Sequence, residues 1–381
     1  MKKKFDPDIA FMKIALREAR KGLGRTSPNP AVGAVVVNNG KIVGKGYHKK
    51  AGTPHAEIHA LHAAGEEAEG ATIYVTLEPC NHTGRTPPCT LAILESGIRR
   101  VVVGMIDPNP LVAGSGCDFL RKKGLEVRQN VLADECQRLN FPFIKHIVTG
   151  LPWVIMKAGC TLDGRIAVAS GQSGWITNEK SRREVHRLRD QVDAILVGSG
   201  TALADDPSLT TRVTGKKGKD PLRVVLDSTL HLPIDAKMLR QQSSAQTWIF
   251  CGSDPDAGKK KSLEKTGVRV IPVGAAQDGF LDLAEVLSVL GKNQINSLLV
   301  EGGGRVHGSF LRAGLVDQVS IFLAPFFLGA DAVPVVDKLS LAAVKDGNRF
   351  VTTRVKRFDD DVLVEGIYSE SFALVHQNRN D

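Results

Sequence analysis

Four residues of this sequence have the types and the order that chemistry on a bound metal requires. His55, Cys80 and Cys89 offer one imidazole and two thiols, and Glu57 follows closely after the histidine. Such a set can bind Zn²⁺ with three protein ligands and leave the fourth position for water, as catalytic zinc sites do. Zinc lowers the pKa of that water to about 7, and a nearby carboxylate can carry its proton to a leaving group. The sequence therefore predicts that His55, Cys80 and Cys89 bind zinc and that Glu57 transfers protons.

The order of these residues is typical of one class of zinc enzyme. His-x-Glu followed by Pro-Cys is the pattern of the zinc-dependent nucleobase deaminases. The usual second half of that pattern is Pro-Cys-x-x-Cys, whereas eight residues separate Cys80 from Cys89 here. We therefore expect an enlarged loop, residues 81–88, between the two sulfur ligands, with His82 and Arg85 facing the substrate.

Length and composition limit the classes of protein to consider. A chain of 381 residues is long for one domain and natural for two. No apolar run approaches the roughly 20 residues that cross a bilayer, and the basic amino terminus has no apolar segment behind it, so we expect no membrane partner. The six cysteines lack the density and spacing of a disulfide scaffold, since two have a predicted metal role and the other four are scattered, which favours a reducing cytoplasm. A net charge of +9 with only three tyrosines and three tryptophans favours small phosphorylated ligands over nucleic acid, because base-stacking side chains are scarce.

The first half of the chain alternates helix and strand patterns. We expect helices over residues 8–21, 55–64 and 88–96, and strands over residues 31–37, 41–47, 72–77 and 99–105, followed by helix and strand to about residue 131. Each predicted zinc ligand then lies at or just before a helix amino terminus, where the helix dipole favours thiolates and bound hydroxide. These elements predict a three-layer α/β/α sandwich.

The second half has its own series of strands. A helical segment over residues 133–148 ends in Thr149-Gly150-Leu151-Pro152, where we place the boundary between domains of residues 1–149 and 150–381. Strands are expected over residues 153–157, 194–198, 223–227, 247–250, 268–272 and 297–301. Helical patterns separate several of them, which indicates a second α/β domain with a mainly parallel sheet.

Glycine-rich segments at the ends of two of these strands, residues 198–200 and 302–304, could admit a phosphate to backbone N–H groups. Their spacing is not the dinucleotide fingerprint, and a plain tight turn stays open for residues 302–304. Residues 161–165 could be only a hairpin turn, and residues 203–207 only a helix-ending turn. The residues alone assign neither of these two segments.

The whole chain resembles the bifunctional riboflavin-biosynthesis deaminase/reductase family. In the first half the resemblance rests on Ser27–Gly33, Gly46–His48, His55–Glu57 and Glu78–Cys89. In the second half it rests on Lys157–Gly159, Thr161–Arg165, Ser173–Thr177, Thr201–Pro207 and Glu301–Gly303. The long spacing between Cys80 and Cys89 is the form found in this family, and together these motifs are highly specific.

The resemblance implies two successive reactions. The first domain would deaminate 2,5-diamino-6-ribosylamino-4(3H)-pyrimidinone 5′-phosphate with zinc. The second would reduce the ribosyl chain with NADPH to give 5-amino-6-ribitylamino-uracil 5′-phosphate. The resemblance also implies a cytidine-deaminase-like α/β/α sandwich followed by a dihydrofolate-reductase-like α/β domain, and it suggests a homo-oligomer.

The resemblance further implies roles for individual residues. Besides the zinc set and Glu57, Asn29 would hold the pyrimidine. The expected NADPH contacts are Gly159, Trp175, Thr201, Asp205, Ser228, Gly303, Gly304, Arg305, Val306, His307, Gly308 and Ser309. The expected substrate contacts of the reductase are Lys157, Ser173, Arg189, Leu209, Arg212 and Glu301. The two arginines suit the substrate phosphate, although without the resemblance Arg189 reads better as part of a solvated helix face.

Three other interpretations are open. The chain could be a nucleic-acid base deaminase, such as a tRNA adenosine deaminase, with an accessory domain, but that explains neither the long loop between the cysteines nor the second half. It could be a non-catalytic binding protein with a structural zinc, against which the open ligand position and Glu57 argue. It could also be a deaminase whose reductase half is inactive.

Overall fold

A computed structural model of the chain describes residues 5–82, 87–109, 113–171, 174–215 and 217–376. The chain forms two compact units, one from the amino terminus to Thr149 and one from Gly150 to Leu374. Within the described ranges, no helix combines the length and the apolar character that crossing a membrane requires.

The first unit is built on a five-stranded sheet. Its strands are β1 (Gly33–Asn38), β2 (Lys41–Tyr47), β3 (Thr72–Leu77), β4 (Arg100–Met105) and β5 (Glu126–Arg128). They lie in the order β2-β1-β3-β4-β5, with β1 antiparallel to both of its neighbours and β3, β4 and β5 parallel. The helices are α1 (Pro7–Ala19), α2 (Ala56–Ala64), α3 (Cys89–Glu95), α4 (Ser115–Lys122), α5 (Ala133–Leu139) and α6 (Phe141–Thr149).

Helices cover both faces of this sheet. A Cβ atom on Gly33 of β1 would come within 2.1 Å of the Ala15 carbonyl oxygen of α1. A Cβ atom on Gly46 of β2 would come within 2.3 Å of the Ala56 carbonyl oxygen of α2. Gly46 pairs with Ala34, which points to the opposite face from Gly33, so α1 and α2 lie on opposite faces. The predicted α/β/α sandwich is confirmed.

One predicted helix of this unit is wrong in detail. Residues 133–148 form two helices, α5 and α6, that are separated at Asn140. The Asn140 side chain pairs with the backbone of Ala31, accepting from its N–H at 2.8 Å and donating to its carbonyl at 3.1 Å. Pro142 has no N–H to continue the α5 hydrogen bonds, but it is tolerated in the first turn of α6.

A buried carboxylate joins α1 to the sheet. Asp8, in the first turn of α1, is 3% exposed. It accepts hydrogen bonds from Arg100 at 2.8 and 2.9 Å, from the Tyr74 hydroxyl at 2.9 Å, and from Arg128. The hydrogen bond from Arg100 is the main reason that the pKa of Asp8 is lowered to about 2.

Asp8→Asn is expected to lower the free energy of unfolding of the first unit by about 2 kcal/mol, because Arg100 and Arg128 lose a buried carboxylate. The pKa of this carboxyl is lowered by folding, so its contribution is complete above about pH 4 and is lost as the pH falls through about 2. The free energies of unfolding of the unmodified protein and of Asp8→Asn should therefore converge as the pH falls from about 4 to about 2. Denaturant unfolding at several pH values measures this convergence. Asp118→Asn, at an exposed pair with Arg121, is the control and should change stability by less than about 0.5 kcal/mol. An equal deficit for Asp8→Asn at neutral pH and below pH 2 would contradict this account.

The second unit is built on a nine-stranded sheet. Its strands, in sheet order, are β11 (Arg269–Pro272), β10 (Thr247–Cys251), β9 (Leu222–Leu226), β8 (Ala194–Gly198), β12 (Ser297–Val300), β6 (Trp153–Thr161), β13 (Gln318–Ala324), β16 (Asp361–Tyr368) and β15 (Phe350–Phe358). The strands from β11 to β13 are parallel, and β16 and β15 complete the sheet as antiparallel strands. The short strands β7 (Arg165–Ala167) and β14 (Val333–Pro334) form a separate pair.

Helices cover both faces of the parallel part of this sheet. They are α7 (Glu179–Arg189), α8 (Ser199–Asp205), α9 (Lys237–Arg240), α10 (Ala257–Glu264), α11 (Leu283–Lys292) and α12 (Gly304–Arg312), and the chain has a last helix, α13 (Ser369–His376). Leu196 of β8 lies in an apolar cluster with α11 and α12, whereas its neighbour Ile195 lies in another with α8, α9 and α10. A strand with both faces buried reads as a continuous apolar run, which is why the parallel strands were predictable. The mainly parallel α/β domain is confirmed.

Candidate active sites

The three candidate metal ligands of the first unit come together. The Nδ1 atom of His55 lies 3.2 Å from Cys89 Sγ and 3.6 Å from Cys80 Sγ, and all three ligand atoms lie within 4.8 Å of one another. Tetrahedral zinc with ordinary bond lengths places neighbouring ligand atoms roughly 3.5–3.8 Å apart. The set therefore fits a zinc ion, and it is the one such cluster of His, Cys, Asp or Glu side chains found in the described part of the chain.

Two helix amino termini and the end of β3 position this cluster. His55 immediately precedes α2, Cys89 is the first residue of α3, and Cys80 follows β3. The backbone N–H of Cys89 donates to Cys80 Sγ at 3.3 Å. Hydrogen bonds from the side chains of Cys89 and His55 lower the pKa of Cys80 to about 4, which favours a thiolate. The predicted location at a helix start is confirmed for His55 and Cys89, whereas it is wrong for Cys80, which lies just after β3.

Glu78 anchors the segment that carries Cys80, although it was not among the predicted site residues. Its side chain is buried and accepts hydrogen bonds from the backbone N–H groups of Asp107, Gly114, Gly116 and Cys117, at 3.2, 2.9, 3.0 and 3.0 Å. This fixes the end of β3 to the loop after β4 and to the start of α4. The sequence feature that could have indicated this role is an acidic residue at the end of a buried strand, directly before Pro79-Cys80.

Glu57 lies in the first turn of α2 and is 3% exposed. Burial raises the pKa of this carboxyl, and the nearby His55 imidazole lowers it in part. Its side chain also interacts with the Cys89 thiol. A buried carboxyl beside the ligands, outside the ligand set itself, is suited to proton transfer.

Asn29 reaches the same cluster through a histidine. Its Nδ2 atom lies 3.2 Å from His48 Nε2, and the other ring nitrogen of His48 lies 3.2 Å from the Pro54 carbonyl oxygen. His48 is 2% exposed, and its ring packs edge-on against that of His55 with centroids 5.4 Å apart. His48 belongs to a motif that the resemblance included but to which no role was given.

The long loop between the cysteines is described only in part. His82 is exposed. Arg85 lies outside the described residues.

The second unit contains a cavity of about 1550 Å³ at the carboxyl ends of its parallel strands. Its lining includes Lys157, Gly159, Trp175, Arg189, Thr201, Asp205, Leu209, Arg212, Ser228, Glu301, Gly303, Gly304, Arg305, Val306, His307 and Ser309. Gly308 is not part of the lining and lies within α12 against the Asp337 backbone. Ser173 lies outside the described residues. One cavity thus brings together residues that are scattered over more than half of this unit.

A buried ion-pair cluster forms part of this cavity. Arg189 donates to both carboxylate oxygens of Glu301, at 2.8 Å from Nε and 2.9 Å from Nη2, and Lys157 Nζ lies 3.3 Å from the same carboxylate. Burial alone would raise the pKa of Glu301, but the charges of Arg189 and Lys157 lower it well below the usual range. The interpretation of Arg189 as part of a solvated helix face is wrong, since its side chain is 14% exposed and bound to Glu301.

Two segments left open by the sequence have defined structures. Residues 161–165 form a turn in which the Gly164 N–H donates to the Thr161 carbonyl at 3.0 Å. The carboxylate of Asp163 accepts from the backbone N–H of Gly329 at 2.8 Å, so this turn holds a second loop in place. Helix α8 ends at Asp205, and Asp206 then adopts a φ of 39°, which is the helix-ending turn considered above.

The start of α12 is suited to phosphate. Gly303 precedes the helix, and no side chain caps it with a hydrogen bond. Both Gly303 and Gly304 line the cavity. Backbone N–H groups at such a terminus bind anions, so this end of the cavity can accept the diphosphate of a nucleotide.

Comparisons with known proteins match a different family model to each half of the chain. Residues 6–105 match the cytidine and deoxycytidylate deaminase zinc-binding region, and residues 152–364 match the RibD C-terminal domain. The chain is 42% identical to the riboflavin biosynthesis protein RibD of Bacillus amyloliquefaciens, over 94% of this chain and 95% of that protein. It is also 42% identical to RibD of Escherichia coli K12, over 94% of this chain and 98% of that protein.

Solved structures give the same result. Acinetobacter baumannii RibD superposes with a TM-score of 0.86 at 36% identity, covering 95% of this chain and 99% of that one. A Thermotoga maritima protein, described as a diaminohydroxyphosphoribosylaminopyrimidine deaminase/5-amino-6-(5-phosphoribosylamino)uracil reductase, superposes with a TM-score of 0.83 at 38% identity with the same coverage. The predicted fold class is confirmed. The two units, their sites and these relatives establish that the chain belongs to the RibD family of riboflavin-biosynthesis enzymes, as a bifunctional deaminase and reductase with zinc and NADPH as cofactors.

Proposed function

We propose that the first unit deaminates 2,5-diamino-6-ribosylamino-4(3H)-pyrimidinone 5′-phosphate and that the second reduces the ribosyl chain of the product to ribityl. The observation that carries the proposal is the His55, Cys80 and Cys89 cluster beside the buried Glu57. The Thermotoga maritima relative, whose description names this chemistry, supports it. We further propose that the protein acts in the cytoplasm, as its cysteine content suggests, and that it forms a homo-oligomer, as the family resemblance suggests.

In the deaminase, His55, Cys80 and Cys89 hold the metal through one nitrogen and two sulfur atoms. Zinc, when bound, makes hydroxide available near neutral pH. Glu57 accepts the proton that the water loses and delivers it to the amine, which leaves as ammonia while a C–O bond replaces the C–N bond. Asn29, held by His48, orients the pyrimidine.

In the reductase, NADPH supplies a hydride when it is bound. The backbone at the start of α12 binds the cofactor phosphates, and Trp175, which is 79% exposed, contacts the cofactor at the edge of the cavity. The reduction also needs a proton at the ribosyl end, and Lys157 is placed to hold it. Glu301 stays ionised and fixes Lys157 on one side and Arg189 on the other. Ser173, Leu209 and Arg212 complete the proposed substrate contacts.

Incubation with the diaminopyrimidine ribotide tests this proposal. Ammonia release should need zinc but not NADPH, and oxidation of NADPH should follow only after deamination. The purified protein, loaded with zinc, should release ammonia equimolar with the ribotide consumed. A fully metallated protein that releases no ammonia from this compound would overturn the substrate assignment.

Glu301→Gln is expected to reduce NADPH oxidation severely and to destabilise the second unit by about 3 kcal/mol, because Arg189 and Lys157 lose a buried carboxylate. Ammonia release by the same preparation should be unchanged. Glu184→Gln is the matched control, since Glu184 is also a buried acid that pairs with an arginine, Arg187, but does not line the cavity. Steady-state rates at a temperature where both variants are folded measure the effect. Equal losses of reductase activity in the two variants would mean that Glu301 acts only on stability.

A further inference from the structure

The loop after α8 is held in a conformation that its own residues do not favour. Leu209 has a φ of 51°, and such a conformation in a bulky residue persists only where the surroundings hold it. The carbonyl of Ser208 accepts from Gln241 at 2.7 Å, and the N–H of Thr211 donates to Asp220 at 2.7 Å. Leu209 itself is buried and lines the reductase cavity. The loop therefore places the residues that follow it, including Arg212, in a defined position at the cavity.

Two residues of α7 hold the same loop from the other side. Arg189 donates from Nη1 to the Thr210 carbonyl at 3.1 Å. His186, three residues earlier and therefore on the same helix face, contacts Arg212 with both ring nitrogens. Its Nδ1 atom lies 3.2 Å from the Arg212 backbone N, and its Nε2 atom lies 3.3 Å from Arg212 Nε.

The protonation state of His186 suits this contact. A ring that accepts a hydrogen bond from an arginine must be neutral, and a neutral ring has only one acceptor nitrogen. We assign Nε2 as the acceptor from Arg212 Nε, so Nδ1 carries the ring proton and its proximity to the Arg212 backbone N is a contact and not a hydrogen bond. Burial, together with the charges of Arg189 and Arg212, lowers the pKa of His186 to about 4. The ring is therefore uncharged at neutral pH, and it can lie against two guanidinium groups without repulsion.

Arg189 and Arg212 differ in how many of their guanidinium N–H donors are already used by protein acceptors. Arg189 uses Nε and Nη2 on Glu301 and Nη1 on Thr210. Arg212 is exposed and lines the cavity, and among the described residues no side chain or backbone carbonyl accepts from its Nη groups. A guanidinium with both Nη groups available binds phosphate through two parallel hydrogen bonds.

We infer that His186 is a positioning residue of the reductase: it holds Arg212, the substrate contact that the resemblance already implied for the 5′-phosphate, with both Nη groups available at the cavity. Arg189, which the sequence analysis considered equally suited to that phosphate, instead orders Glu301 and the loop. This inference rests on the proposed function, because the proposed substrate carries the phosphate. His186 acts only through Arg212, so it should matter for phosphorylated substrates and not for the chemistry of reduction.

The test compares two substrates in the reductase reaction at saturating NADPH. One is the deaminated ribotide, and the other is the same compound without its phosphate. The ratio of their kcat/KM values measures the preference for phosphate. Arg212→Ala is expected to lower this ratio by about ten- to hundredfold, as loss of a charged hydrogen bond does. His186→Leu should lower it by about tenfold through KM for the ribotide, with kcat/KM for the dephosphorylated compound unchanged.

Further variants separate positioning from general damage. The double variant of His186 and Arg212 should be no worse than Arg212→Ala alone. His186→Gln keeps an acceptor near the Nε2 position and should restore most of the preference. If the larger leucine disturbs folding, His186→Asn takes the place of His186→Leu in the test. Its side chain is too short to reach Arg212 Nε, so it should also lower the ratio by about tenfold. His231→Leu changes an exposed histidine outside the cavity lining and should leave the ratio unaltered. Ammonia release by each preparation reports that the first unit is intact, and circular dichroism compared with that of the unmodified protein reports whether the second unit is folded.

The outcomes distinguish a failure of the role proposed for His186 from a failure of the proposed function. If His186→Leu lowers kcat/KM equally for both compounds, or leaves the ratio unchanged while Arg212→Ala lowers it, the positioning role is wrong and the proposed function stands. If Arg212→Ala keeps the full preference, the phosphate contact is wrong, and the inference fails with it. If the unmodified protein reduces neither compound, the proposed function itself fails.

Discussion

Replacing Cys80 or Cys89 by serine is expected to remove zinc and deamination together and to leave NADPH-dependent reduction in place. In the proposed site the two thiols supply two of the three protein ligands, and serine is a poor substitute for a thiolate as a zinc ligand. The unmodified protein should carry about one zinc per chain at this site. Metal analysis of the purified variants and ammonia release measure the two losses.

Cys136→Ser is the matched control for these two variants. Cys136 is a fully buried thiol of the same unit, and it does not belong to the metal cluster. It should keep its zinc even if the buried hydroxyl lowers stability. Removal of the metal from the unmodified protein by a chelator should have the same selective effect, because the ligands of the deaminase lie only in the first unit. Full zinc occupancy in both Cys80→Ser and Cys89→Ser would refute the ligand assignment.

Glu57→Gln is expected to slow deamination by a factor on the order of 10²–10⁴, the usual contribution of a general acid–base group. Glutamine keeps the shape of the side chain but cannot carry the proton from water to the leaving amine. Since Glu57 is not one of the three ligands, the variant should keep its zinc. Glu66→Gln, at an exposed position soon after α2, is the control and should deaminate normally. Near-normal ammonia release by Glu57→Gln with full zinc would exclude the proposed role.

The deaminase site was predictable because its residues lie close together in the sequence. Local patterns defined β3 and the starts of α2 and α3, and those three elements fix the three ligand atoms. Glu78 was not recognised, because its partners are backbone N–H groups of a loop and a helix that follow much later in the chain. A side chain that binds only backbone leaves no matching residue type for sequence reasoning to find.

The reductase site was predictable only through the resemblance to a family. Its residues come from many loops at the ends of parallel strands, and no local spacing links them. Arg189 illustrates the difficulty, since a helix rich in arginine suggests a solvated face, whereas Glu301, its partner, lies far along the chain. The last strand of the parallel part, β13, and the antiparallel strands β15 and β16 were also missed. Polar residues interrupt the apolar ones in β13, and β15 and β16 also contain charged residues. In β13 and β16 buried positions largely alternate with less buried ones, as in strands with one face less deeply buried.

The central claim is that two separate sites catalyse two successive steps, and one experiment tests it directly. Glu57→Gln and Glu301→Gln are each supplied with the diaminopyrimidine ribotide and, separately, with its deaminated product, while ammonia and NADPH are followed. The account predicts that Glu57→Gln releases little ammonia yet oxidises NADPH with the deaminated product, and that Glu301→Gln releases ammonia normally yet reduces neither compound. Loss of both activities in either variant, with circular dichroism unchanged from that of the unmodified protein, would contradict the division into two independent sites.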